Sequence, residues 1–361
     1  MKIMTILGTR PEIIRLSVIL PLLDEHADSH VLVHTGQNFT ASLSGIFFAE
    51  LGLRTPDYVL QDKQAGLGGQ LATMFGSLES ILLTEQPDRI LLLGDTNSAL
   101  CALLAERMGI PVVHMEAGNR CYDLKVPEEK NRRVIDAVST INMPYTQQSK
   151  RHLLSEGFPS NRIVLTGNPI HEVMTRYSPQ IHASDILERL KLKPGQYFLV
   201  TAHRAENVDD PPALEQIMNG LNAVAEQFGL RLICSIHPRT RSRLTGQPMH
   251  PLVEFHEPFG FFDFVHLEQH ALCAITDSGT VQEECCLTGV PTVTIRRTTE
   301  RPETVDCGSN VVSGVDAAQI LRCAKLMTAF SRQWEAPEGY LTPDVSSKVV
   351  KFLLGGNLNV L

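Results

Sequence analysis

No apolar run in this 361-residue chain approaches the ~20 residues needed to cross a bilayer, and stretches such as residues 90–93 are far shorter. Residues 3–7, after Met1-Lys2, are shorter than the apolar core of a secretory leader, and Gly8-Thr9-Arg10 is no cleavage site. Neither a CxxC nor a zinc-finger spacing occurs among the eight cysteines (101, 121, 234, 273, 285, 286, 307 and 323). They read as reduced, packed thiols of a cytoplasmic protein. Positive charge is in short supply: 32 Lys plus Arg against 40 Asp plus Glu leave a net charge of −8. The chain therefore has no broad attraction for nucleic acid or an anionic membrane, and an anionic ligand must be held by a local cluster of cations. Cofactor fingerprints are missing as well. The first strand runs into Gly8-Thr9-Arg10-Pro11-Glu12-Ile13 instead of GxGxxG, and Gly66-Leu67-Gly68-Gly69 has Leu71 where the third glycine belongs. No GxxxxGK[ST] is present, and the His, Cys and Asp spacings assemble no metal site. The sequence thus predicts no cofactor, no nucleoside-triphosphate hydrolysis and no structural metal.

What remains is ordinary globular material, 43% hydrophobic and 20% charged, in a length that suits two domains. Short, nearly continuous apolar runs alternate with amphipathic stretches. Strands are predicted at residues 2–7, 31–34, 89–93, 112–115, 140–143 and 163–165. A second set follows at 197–201, 231–236, 253–256, 273–276, 292–295 and 310–312. Between them, helical spacing recurs, as for Leu16, Ile19, Leu20, Leu22 and Leu23. This alternation predicts an α/β fold of two Rossmann-like parallel-sheet domains facing across a cleft. The boundary falls near residue 170, giving domains 1–170 and 171–344, with a final helix within 345–361 packing back on the first.

The unusual polar residues cluster just after strands, where open α/β sheets bind ligands. The first half offers carboxylates there: Asp95 in Gly94-Asp95-Thr96, Glu116 in Glu116-Ala117-Gly118, and Glu128-Glu129 before a helical pattern, with Arg10 and Arg15 as extra cations. A carboxylate beside a core is costly unless paired or open to a site, and two acids with separated affinities are what proton removal and return require. The second half offers cations and a helix start: His203-Arg204, His237-Pro238-Arg239, Asp277-Ser278-Gly279-Thr280 and the loop from Arg296 to Glu303, which contains Arg301. Free N–H groups at a helix N-terminus suit phosphate, and Glu284 one turn on could bind a ribose diol. An ordinary helix cap and a solvated charged loop would account for the same residues singly.

Together, GTRPEII, GDTNS, HMEAGNR, PEEKNRR, TGNP, TAHRAEN, His237, TDSGTVQEE and TTERPE stand in an order and spacing that resemble the non-hydrolysing UDP-N-acetylglucosamine 2-epimerases, from residue 1 to about 315. The resemblance implies a GT-B-like pair of domains, a homodimer, a UDP-sugar substrate and no redox cofactor. It assigns acid–base roles to Asp95, Glu116 and Glu128, and a diphosphate and catalytic role to His203. Substrate or UDP contacts fall to Arg10, Arg15, Arg132, His237, Ser278, Gly279, Thr280, Glu284 and Arg301. Departures from the commonest pattern, namely Asn119-Arg120-Cys121-Tyr122-Asp123, Thr280, Arg15 and Asn38-Phe39-Thr40, look more like the branch making UDP-N-acetyl-L-fucosamine for capsule and O-antigen. The expected substrate is then UDP-2-acetamido-2,6-dideoxy-L-talose, with UDP-N-acetylglucosamine as the alternative and a GT-B glycosyltransferase as the remote one.

Overall fold

The structure, a computed structural model, describes residues 1–37, 45–60, 66–236, 240, 243, 248–356 and 358. His237 and the Asn38-Phe39-Thr40 triplet lie outside the described residues. The chain forms two units, one of Met1–Arg176 with Glu338–Leu361 and one of Tyr177–Pro337.

The first unit holds β1 (Lys2–Leu7), β2 (Ser29–His34), β3 (Tyr58–Val59), β4 (Arg89–Leu93), β5 (Val112–Met115) and β6 (Ile141–Met143). They form one sheet in the order β3-β2-β1-β4-β5-β6, every pairing parallel. Central strands β4 and β5 are buried along their whole length, because helices cover both faces. Met4, Ile6, Val33, Ile90 and Leu92 pack with Leu78, Ala102 and Ile135 from helices, each large apolar side chain contributing roughly 1.5–3 kcal/mol. The chain winds outward in both directions from β1 and β4, which makes the gap beyond their carboxyl ends the topological switch point.

The second unit repeats the pattern with β7 (Tyr197–Thr201), β8 (Arg231–Ser235), β9 (Val253–His256), β10 (Cys273–Thr276), β11 (Thr292–Thr294) and β12 (Asn310–Val312). Its order is β12-β11-β10-β7-β8-β9, again all parallel, with the switch between β7 and β10. No helix among the described residues is long and apolar enough to cross a membrane.

Two details correct the sequence reading. The sixth strand of the first sheet is Tyr58–Val59, whereas residues 163–165 supply only a single bridge between Ile163 and Asn142. A two-residue strand has no readable period, and Gly167, at φ +97°, turns the chain away soon after Ile163. The division of the chain falls at Arg176–Tyr177, beyond the predicted residue 170. The breakers at 167–169 lead into a helix, Ile170–Arg176, that is stitched to the C-terminal segment. Asn168 N–H donates to the Gly339 carbonyl (2.9 Å), and Glu172 accepts from Ser346 N–H (2.9 Å) and Oγ (2.6 Å). Tyr177, by contrast, packs its ring against Phe261 and Phe262 of the second unit.

The helix Val345–Gly355 closes the first unit. Its terminal carbonyls would be orphaned, but Arg89 donates to those of Phe352 (3.2 Å), Leu353 (2.6 Å) and Gly356 (2.5 Å). A cation at a helix C-terminus also opposes the negative end of the dipole. Arg89→Met keeps the length but strips these donors, so urea titration should show the first unit losing about 2 kcal/mol. An unshifted midpoint would mean that the arginine clasp does not hold the terminal helix.

Candidate active site

In the first unit the loop after β1 is set by a capping box, Thr9-Arg10-Pro11-Glu12, at the start of the helix Arg10–Leu16. Glu12 is buried and accepts from Gly8 N–H (2.7 Å), Thr9 N–H (2.6 Å), Thr9 Oγ1 (3.0 Å) and Thr96 Oγ1 (2.8 Å). One side chain thus ties the β1 loop to the β4 loop that carries Asp95. Burial pushes the Glu12 carboxyl up to about 7, against the pull of those donors. Gly8 is required here: a Cβ would lie 2.0 Å from Ser98 Oγ and 2.3 Å from Thr35 Oγ1. Arg10 is half-buried, its guanidinium over the Phe47 ring.

Asp95 and Glu116 follow neighbouring strands β4 and β5, whose last paired residues are Leu93 and Met115. Each acid is held by a buried arginine. Arg132 donates to Asp95 Oδ2 from Nε (3.0 Å) and Nη2 (2.5 Å), and Arg15 Nη1 lies 3.0 Å from Glu116 Oε2. Arg15 also stacks over the Tyr145 ring. The helix Pro127–Val138 carries Glu128 in its first turn, half-buried, then Glu129, which is wholly buried. Burial works against Glu129's charge, yet the Cys121 amide, Arg132 and Arg133 hold its carboxyl below the usual range. Asn131 of the same helix donates to the Asp95 carbonyl (3.0 Å). Glu116 has left-handed backbone, φ +67°, and Gly118 two residues on has φ +78°. A Cβ at Gly118 would sit 2.3 Å from the Ser149 carbonyl oxygen, so only glycine fits. Beneath this turn, Asp136 binds His114 Nδ1 (2.9 Å), Gly118 N–H (3.1 Å) and Arg120 Nη1 (2.7 Å). Burial raises Asp136, but His114 and Arg120 outweigh it and hold the carboxyl low.

The second unit assembles cations at its own switch point. Asp277, fully buried after β10, accepts at Oδ2 from His203 N–H (2.9 Å), Arg204 N–H (2.9 Å) and Asn207 Nδ2 (3.1 Å), and His203 Nδ1 lies 3.3 Å from Oδ1. This fixes the His203 backbone and sets its ring, in a side chain 40% exposed, beside the carboxylate. Ser278 is the N-cap of the helix Gly279–Thr288, and its side chain makes no capping bond. Thr280 sits half-buried in the first turn, and Glu284 is buried a turn later. Glu300 gathers Arg204 (3.2 Å) and Arg296 (2.6 Å), and a Cβ on Gly279 would be 2.7 Å from Glu300 Oε1 and 3.5 Å from the Arg301 guanidinium carbon. A helix start with Arg204, Arg296 and Arg301 gathered around it can receive a phosphate.

Three of the cations read from sequence as ligand contacts are buried partners of acids: Arg15 with Glu116, Arg132 with Asp95 and Glu129, and Arg301 with Glu283. Asp95 and Glu116 are half-buried just past strand ends, and Glu129 and Glu283 are buried within helices; an acid so withdrawn from water needs a cation beside it. Sequence reasoning missed the bracing roles of Glu12, Asp136 and Asp277. The Thr-x-x-Glu spacing could have revealed Glu12; nothing local marks Asp136.

Among known proteins, the family described as UDP-N-acetylglucosamine 2-epimerase matches residues 22–354. The UDP-N-acetylglucosamine 2-epimerase of Methanococcus maripaludis is 37% identical over 349 residues, 94% of each chain. The UDP-2,3-diacetamido-2,3-dideoxy-D-glucuronate 2-epimerase of Pseudomonas aeruginosa is 36% identical over 98% of this chain and 99% of its own. The crystal structure of the Methanocaldococcus jannaschii UDP-GlcNAc 2-epimerase with UDP-GlcNAc and UDP superposes with TM-score 0.93 at 36% identity, covering 98% and 99%. In fold alone the chain also resembles the glycosyltransferase WaaG, with TM-score 0.59 at 12% identity, so the architecture is GT-B-like.

Glu12 generates a pH signature. Its native pKa, about 7, lies above the unfolded value of 4.5, so the neutral acid is the form the fold favours. Its stabilising share is full below pH 4.5 and is lost as pH rises through 7. Glu12→Gln can keep the carbonyl toward Gly8 and Thr9 and donate to Thr96. Between pH 5 and pH 8 the wild type should lose roughly 2–3 kcal/mol relative to this variant in chemical denaturation; parallel stabilities would refute a buried titrating acid.

Proposed function

The chain belongs to the UDP-N-acetylglucosamine 2-epimerase family and is a UDP-sugar 2-epimerase, an isomerase; we propose that it inverts C2 of UDP-N-acetylglucosamine to the manno epimer without hydrolysing it, acting as a homodimer. The observation that carries the mechanism is the pair Asp95 and Glu116 just past the ends of neighbouring strands, each held by a buried arginine.

Carbon 2 bears an amide nitrogen, so it cannot be inverted by oxidation to a ketone and reduction, as a hydroxyl-bearing carbon can. Its proton becomes removable once the anomeric C–O bond stretches and C1 gains oxocarbenium character. The leaving UDP then carries developing charge, which preorganised donors stabilise best. Arg10, His203 and the Ser278-Gly279 helix start supply that role in this reading, with Arg301 beside the helix start and Glu284 on the ribose. His203 is oriented for it by Asp277. One of Asp95, Glu116 and Glu128 takes the C2 proton, leaving a glycal, and another returns a proton on the opposite face as UDP adds back. Arg15 and Arg132 keep Glu116 and Asp95 aimed.

In deuterium oxide, turnover should therefore place deuterium at C2 of the product, seen by proton NMR. A product without it would exclude the elimination route. Glu116→Gln keeps the shape and removes the base, cutting turnover by roughly 10²-fold or more with little change in UDP affinity; wild-type turnover would relieve Glu116 of the role.

A second substrate, UDP-2-acetamido-2,6-dideoxy-L-talose, is favoured by Asn119-Arg120-Cys121-Tyr122-Asp123 and Thr280. The relatives named above are called after UDP-N-acetylglucosamine and a diacetamido-glucuronate, which puts the gluco series first. NMR of the purified protein with each UDP-sugar separately decides the order. Conversion of UDP-N-acetylglucosamine alone is the expected result, and conversion of only the L-talo sugar would reverse it.

A further inference from the structure

We propose that Cys286 and Cys307 form a peroxide-responsive pair in the second unit, and that their closure to a disulfide weakens its hold on a nucleoside diphosphate. The second half of this inference rests on the reading of the Ser278-Gly279 helix start as the nucleotide site; the first half does not.

The two sulfurs are 3.7 Å apart. A disulfide needs about 2.05 Å, so closure asks for a movement of roughly 1.7 Å, which side-chain rotation and a small backbone shift can supply. Cys307 is half-buried, while Cys286 and the other six cysteines are buried, so an oxidant meets Cys307 first. Its sulfur also lies 3.3 Å from Ser309 Oγ and 3.4 Å from the Thr304 carbonyl. The contact with Cys286 holds the Cys307 thiol below its usual range, and the same contact, together with burial, pushes Cys286 up. A partly accessible thiol within reach of a second, buried thiol is the arrangement of a peroxide-sensing and resolving cysteine pair.

The oxidant is a peroxide. The Cys307 thiolate attacks one peroxide oxygen, an S–O bond forms, the O–O bond breaks, and the departing hydroxide takes a proton to leave as water. Cys286 then attacks the sulfenic sulfur, the S–S bond forms and the S–O bond breaks, releasing a second water with the Cys286 proton. Two thiols and one hydrogen peroxide become one disulfide and two waters.

The route to the nucleotide site is short. Cys286 lies one turn after Glu283 on the helix Gly279–Thr288, and Glu283 binds Arg301. Cys307 N–H donates to the Glu303 carbonyl (3.1 Å), and Thr304 donates to the Arg301 carbonyl from N–H (3.1 Å) and Oγ1 (2.7 Å). Pulling Cys307 toward Cys286 therefore drags the turn that seats Arg301. A reporter is built in: Trp334, the chain's one tryptophan, donates from Nε1 to the Cys286 carbonyl (2.9 Å).

The test treats reduced wild-type protein with hydrogen peroxide, then denatures, alkylates and maps it by mass spectrometry, with tryptophan fluorescence and UDP calorimetry on the folded protein. A 286–307 cross-linked peptide lacking two hydrogens, a fluorescence change reversed by dithiothreitol, and UDP affinity at least about fivefold weaker are expected. Cys286→Ser and Cys307→Ser should each abolish the oxidative changes and keep the reduced protein's affinity. A cross-link elsewhere, sulfinic acid at Cys307 without a cross-link, or no oxidation overturns the pair. A 286–307 disulfide with unchanged UDP affinity overturns the coupling. Reduced protein that fails to bind UDP marks failure of the nucleotide reading instead, and leaves the mapping of the cross-link to stand on its own.

Discussion

Charge neutralisation of the acids packed beside the two cores governs this structure. An acid placed beside a packed core must meet a cation or several N–H groups, because an uncompensated buried charge costs about 3–5 kcal/mol. Both units obey the rule. Glu116 has Arg15, Asp95 and Glu129 share Arg132, Asp136 has Arg120 and His114, Glu283 has Arg301, and Glu300 has Arg204 and Arg296. Asp277 takes two backbone amides and Asn207 at one of its oxygens. A loop end tied in this way keeps its acid at a set position. Positional certainty of that kind is what proton transfer and leaving-group stabilisation demand.

The same economy explains the local backbone. The left-handed residue Glu116 costs of order 1 kcal/mol, and it is kept in place by the ladder of β5 behind it and by Asp136 binding Gly118 ahead of it. The turn lifts the acid out of the strand line one strand away from the switch point of the sheet. Gly8 does the complementary job on β1, letting the loop settle against Ser98 and Thr35 where any side chain would collide.

Most of the architecture is legible in the sequence because long buried strands announce themselves as apolar runs. β4, β7 and β10 are such runs, and their polar followers mark the site. Tyr58–Val59 escaped because two residues carry no period, and residues 163–165 misled because an apolar triplet need not find a ladder. The family motifs drew attention to the acids and arginines, but not to which arginine answers which acid. That pairing is three-dimensional: Arg132 reaches back 37 positions to Asp95, and Arg15 reaches forward to Glu116. Sequence spacing alone shows Arg15, Arg132 and Arg301 as cations, whereas packing sets each beside a particular carboxylate. Glu12 was within reach, since Thr-x-x-Glu is a recognised helix-start spacing; its burial was not.

The first unit is built from both ends of the chain, with Tyr177–Pro337 inserted between its parts. Arg89 cannot find the carbonyls of Phe352, Leu353 and Gly356 until those residues exist. On the ribosome, the inserted unit is therefore fully synthesised while its host still lacks a helix. Arg89 and the apolar ground meant for that helix wait uncovered through the making of some 160 residues, at the ~5–20 residues per second of translation. The exposure lasts on the order of ten seconds.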